Sequence, residues 1–133
     1  MIPKFNDVGY LPHGIHMATL DEISQRFGEE SELRRAQMDS VRWLVEMAKK
    51  AGVLRVILNG SFVTDVFEPN DVDCALLLSP DFPLDPVAAA ELNAGLPFVD
   101  LHMVEANEFA ILVDKFYATD RDSNPKGVIE VVL

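Results

Sequence analysis

Cysteine is almost absent from this chain: Cys74 stands alone, so no intramolecular disulfide can staple the fold. Long apolar runs are missing as well, and nothing approaches the roughly 18 consecutive apolar residues of a membrane helix. The opening Met1-Ile2-Pro3-Lys4-Phe5-Asn6-Asp7 lacks the charged-then-apolar order of a secretory signal. Together these absences predict a soluble, cytoplasmic protein. Positive charge is scarce too. Only 11 Lys and Arg face 22 Asp and Glu, for a formal net charge of -11. Binding to a duplex backbone relies on clustered basic side chains that release counterions, so stable duplex nucleic-acid binding is not expected.

What the chain does have is apolar mass. At 133 residues and 49% hydrophobic composition it reads as one domain with a real core, residues 1–18 forming an ordered arm punctuated by Gly9, Pro12 and Gly14. Thr19-Leu20-Asp21-Glu22 has capping-box form and opens a short helix that stops near Gly28. A longer helix is predicted from about Ser31 to Ala51, burying Leu33, Ala36, Val41, Leu44, Val45 and Ala48 and ending at Gly52. Strands follow at 53–58, 72–78, 98–104 and 128–133, with helices at 86–93 and 107–117 between them. The predicted class is α/β (α+β): a mixed sheet with helices mainly on one face and the other face left as a cleft. An exposed face of this kind also predicts a homodimer or a partner protein.

The chemistry gathers at strand ends. Asn59-Gly60-Ser61 ends one strand in a tight turn where Gly60 lets backbone approach a phosphate and Ser61 offers a hydroxyl and an N–H. Asp71-Val72-Asp73 enters the next strand, where alternation puts both carboxylates on one face and Val72 and Cys74 on the other. Asp100, between Val99 and Leu101, is a lone acid in a third strand. Adjacent carboxylates repel unless a cation lies between them, and hard Mg²⁺ or Mn²⁺ takes oxygen ligands. The predicted site is therefore Asp71, Asp73 and Asp100 as metal ligands and catalytic acids, opposite a phosphate-holding turn. Asp100 is the candidate to accept the nucleophile's proton.

This pattern resembles the nucleotidyltransferase superfamily that includes DNA polymerase β. Gly-Ser-Phe-Val-Thr (60–64), Pro69-Asn70-Asp71-Val72-Asp73, the segment from Leu11-Pro12-His13-Gly14-Ile15-His16 to Thr19-Leu20, and Lys126-Gly127-Val128 look closer still to a small bacterial group within it. The resemblance implies the minimal nucleotidyltransferase fold, with Gly60, Ser61 and Thr64 on the nucleotide's phosphates and the three aspartates on metal. It also implies transfer of an NMP group from an NTP to an acceptor hydroxyl or amine of a small molecule, protein or RNA, releasing pyrophosphate. Small members include antibiotic-modifying enzymes and toxin–antitoxin components. The chain departs from minimal members by having Phe62, Val63 and Thr64 where an arginine often follows the glycine-serine, so Arg55, Lys115, Arg121 or Lys126 would have to supply positive charge. That departure suits the alternative, a non-catalytic binding module such as an antitoxin-like partner or nucleotide sensor.

Plainer readings accompany these. Asp71 also suits an ordinary polar turn after Asn70, and Asp100 could pair with Arg55. His102, two residues past Asp100 on the same strand face, is either a substrate contact or a half-buried histidine with one satisfied bond. His13 and His16 lack the further ligands that a zinc site needs. Cys74 and Trp43 read as core.

Overall fold

A computed structural model describes residues 2–133. The sheet has five strands in the order β1-β5-β2-β3-β4: β1 (Gly14–Ala18), β2 (Val53–Asn59), β3 (Val72–Leu78), β4 (Val99–Val104) and β5 (Gly127–Val131). The outer pairs β1–β5 and β3–β4 are parallel, and the inner pairs β5–β2 and β2–β3 are antiparallel. The arm is thus partly a strand. Its Gly14–Ala18 segment lies along the sheet edge, too short and too closely flanked by glycine and proline to announce itself. β4 begins one residue later than predicted because Phe98 has φ 67, a left-handed conformation that no strand continues.

Helix α1 (Leu20–Phe27) starts as the capping box requires. Glu22 N–H donates to Thr19 Oγ1 at 3.2 Å, and Thr19 N–H donates to Glu22 Oε1 at 3.0 Å. Ser31 caps α2 (Glu32–Ala51), which stops where Gly52 turns left-handed at φ 88. Asp85 caps α3 (Pro86–Ala94) with Pro86 in the first turn, where a missing N–H costs nothing. Helix α4 (Ala106–Ile111) continues through Phe116 as a wider, π-type turn. No helix among the described residues is long and apolar enough to cross a membrane.

The alternation of the strands sorts the core into two layers. Val56, Leu58, Val72, Cys74, Leu76 and Ile129 face α1, α2 and α3. Ile57, Ala75 and Val128 point the other way and are covered by Phe109, Val113 and Tyr117 from α4 and its extension. The helices therefore do not leave the second face open, as the sequence suggested; α4 covers its middle, and the cleft survives only at one end. The α2 stripe is also out of phase at its start. Leu33 and Ala36 are half-buried, while Arg34 and Gln37 are buried at 1% and 0% exposure. Leu44, Val45 and Ala48 are buried as predicted.

Candidate active site

The sheet's α4 face ends in a cleft of about 830 Å³, within the usual range for small-ligand sites. Its lining brings together Gly60, Ser61, Thr64, Asp71, Asp73 and Asp100, the whole set of predicted site residues. Register explains the convergence. Asn59 of β2 lies beside Asp73 of β3, and Asp73 beside Asp100 of β4, so one row of polar side chains crosses three strands on one face. Asp71, just ahead of β3, extends the row toward solvent.

The turn after β2 comes very close to this row. Gly60 has φ 81, and a Cβ there would lie 2.7 Å from Asp73 Oδ2, so both the conformation and the space demand glycine. Ser61–Val63 form a single 3-10 turn, after which Thr64 Oγ1 donates to Ser61 O at 2.7 Å. Thr64 is 5% exposed, and its hydroxyl braces the turn from behind.

Underneath lies a group that the sequence reading missed. The buried guanidinium of Arg34 donates to the carbonyls of Phe27 (2.9 Å), Phe62 (2.8 Å) and Thr64 (2.9 Å), and also to Val66 O. Gln37 Nε2 donates to Pro69 O at 2.6 Å. These two α2 side chains pin the segment that connects the glycine turn to the acids. Burial pulls the Arg34 guanidinium below its ordinary value, with Glu30 and Asp65 opposing that pull.

The same cleft also carries cations. Lys115 comes from the π-type turn, and Arg121 and Lys126 come from the loop before β5; all line the cleft. Burial pulls the Lys126 ammonium down, and the charges of Asp73 and Asp120 partly restore it. Arg55, the fourth candidate, is elsewhere. It forks onto Glu130 at 3.0 and 2.5 Å and lies over the Phe109 ring, so it neither reaches the cleft nor pairs with Asp100. His102 faces the cleft, with Nε2 3.8 Å from Asp100 Oδ1. His16 Nε2 instead donates to Pro12 O at 2.7 Å, and Cys74 is fully buried in the α2-side core.

The acids form a row without forming a closed cage. Among the described residues no three His, Cys, Asp or Glu side chains converge as a ready-made metal site. Asp73 nevertheless has the electrostatics of a cation ligand. It is half-buried, and no hydrogen bond or ion pair reaches its carboxylate among the described residues. Burial first, then the fields of Asp100 and Asp71, push its carboxyl above the ordinary range, while Lys126 and His102 act against the shift. A cation beside it would offset both penalties.

Two further cleft residues carried no sequence signal beyond Asn59 standing before Gly60. Asn59 Oδ1 and the Tyr117 hydroxyl are buried without a hydrogen-bond partner among the described residues. Burial raises the Tyr117 hydroxyl well above its ordinary value, with Cys74, Asp73 and Asp100 adding to the effect. No curated protein and no solved structure matches the chain. Over residues 3–132 it matches a family of unknown function (DUF6932), and it belongs to that family.

Proposed function

We propose that this chain is a metal-dependent nucleotidyltransferase that moves an NMP group from an NTP to an acceptor hydroxyl or amine and releases pyrophosphate. The observation that carries this reading is the mixed charge of one cleft, whose lining holds Asp71, Asp73 and Asp100, the Gly60-Ser61 turn, and Lys115, Arg121 and Lys126. A cleft made only of acids would repel a triphosphate, and one made only of cations would repel its metal. This one suits both halves of a metal–nucleotide pair.

Asp71, Asp73 and Asp100 would hold Mg²⁺ or Mn²⁺, which when bound neutralises phosphate charge and eases loss of the acceptor's proton. The chain's own residues do the remainder. Gly60 lets the phosphates approach the backbone, and Ser61 supplies a hydroxyl beside them. Lys126, Arg121 and Lys115 hold the phosphate tail and the departing pyrophosphate. Asp100, whose side chain is 60% exposed, faces the incoming acceptor and takes its proton, with His102 beside it.

The test uses labelled NTPs, Mg²⁺ or Mn²⁺, and cell extract. Label should pass to an acceptor, and Asp71→Ala/Asp73→Ala protein should lose that transfer at least 100-fold, as removal of charge-stabilising groups does. Undiminished labelling by the double variant would end the proposal. A second reading, a nucleotide-binding module without turnover, is favoured by the open row of acids in place of a closed metal cage. Calorimetry with MgATP separates the two: heat of binding without product identifies the module.

A further inference from the structure

We infer that the side-chain oxygen of Asn59 is a ligand for a divalent cation shared with Asp73 and Asp100, and that the Tyr117 hydroxyl faces that cation's water shell. This rests on the metal reading of the cleft and adds to it a neutral ligand and a buried polar partner. The sheet supplies the placement. Asn59, Asp73 and Asp100 are successive register partners across β2, β3 and β4, so their side chains leave one face in a single row. Asn59 is 3% exposed and Tyr117 5% exposed, and both line the cleft floor.

Among the described residues, both polar atoms lack a hydrogen-bond partner. A buried amide oxygen without a hydrogen bond is costly to keep, and a buried phenol hydroxyl is costly for the same reason. Having the two together, beside a half-buried carboxylate that is itself unpaired, points to something that all of them address. Amide and carboxylate oxygens are the hard donors that Mg²⁺ and Mn²⁺ take, and a hydroxyl suits the waters these ions retain. The row also accounts for the lack of a three-acid cage: the ligand nearest Asp73 on the β2 side is an amide.

The experiment measures Mn²⁺ binding to the full chain, without nucleotide, by calorimetry and by the rise in melting temperature. Wild-type protein should bind Mn²⁺, and Asn59→Leu should weaken it at least about 10-fold, since a direct ligand counts for no less than the outer partners whose loss costs about 10–100-fold. In chelator, Asn59→Leu should melt at or above wild type, because the oxygen removed has no partner among the described residues. Equal Mn²⁺ affinity for wild type and Asn59→Leu, with Asp73→Asn weakened, would overturn the Asn59 assignment and leave the metal reading intact. A lower melting temperature for Asn59→Leu in chelator would make the amide a structural group and would also overturn it. No Mn²⁺ binding by wild type at millimolar concentration would remove the metal reading itself.

Discussion

The wall that carries Gly60 and Ser61 and the wall that carries Arg121 and Lys126 line one cleft but are fastened by different means. Behind the first, Arg34 and Gln37 reach from the first two turns of α2 and hold backbone carbonyls in a buried, water-poor setting. The second is a loop near the surface, closed by backbone bonds from Lys126 N–H to Ala118 O at 2.9 Å and from Asp120 N–H to Asn124 O at 3.0 Å, with the Asp120 carboxylate gathering further donors. Asp120 accepts from the N–H groups of Asp122 and Asn124 at 2.9 Å, from Asn124 Nδ2 at 3.0 Å, and from the Tyr10 hydroxyl at 2.8 Å. Buried bonds to a charged group are strong and expensive to break, whereas bonds at the surface exchange readily with water. The comparison teaches a division of labour. The glycine turn is held in place in advance, and the cationic wall is the part that can adjust to a ligand.

The sharpest way to break that contrast is to remove Arg34. Arg34→Met leaves four carbonyls without their donor, and the expected loss is at least about 3 kcal/mol in urea unfolding. Arg34→Lys should recover little of it, since a single ammonium cannot span the carbonyls that a planar fork reaches. A loss below about 1 kcal/mol would mean that the turn is held by something other than α2. Gln37→Leu should cost less, about 1 kcal/mol. It strips the donor from Pro69 O but also removes Gln37 Oε1, which is buried without a partner. A cost equal to that of Arg34→Met would place the anchor at Pro69 instead.

How much of this was legible in the residues depends on whether the signal was local. Helix starts were readable, because Thr19 and Glu22 announce their reciprocal bonds at fixed spacing. So was the shared face of Asp71 and Asp73, which follows from strand alternation. Asp100 could be named as a lone strand acid, but its position beside Asp73 depends on β3 and β4 pairing in parallel, which no short window encodes. Arg34 was invisible for a related reason. A stripe is read from apolar residues, which led to Leu33 and Ala36, while three of the four carbonyls that justify burying a guanidinium lie about 30 residues further along the chain. The cationic wall could be listed as four candidates but not sorted, since only tertiary packing sends Arg55 to Glu130 and Lys126 to the cleft. Asn59 looked like a turn residue, and its unpartnered oxygen is a property of the packed sheet end.

The smallest expected effect uses pH to tell the walls apart. Hydrogen bonds from Asn124, Tyr10 and Asp122 hold the Asp120 carboxyl at about 2, below its ordinary 3.8. An acid lowered in the fold contributes stability that is present above its unfolded value and is lost as pH falls through its folded value. The ties of the cationic wall should therefore weaken between about pH 4 and pH 2. Asp73 is raised instead, so its folded form binds a proton more readily than the unfolded chain does. Its protonated form favours the fold below the unfolded value, and that contribution fades as pH rises through the folded one. The same acidification thus relieves the acid row while it loosens residues 119–126. Carboxyl titration by NMR, with amide exchange measured from pH 5 to pH 2 and corrected for intrinsic exchange rates, reads both. Loss of protection should be confined to residues 119–126 while residues 60–66 keep theirs, because Arg34 stays charged throughout. Parallel loss in both segments would show that the two walls open as one unit, and the division between a fixed and an adjustable wall would then have to be abandoned.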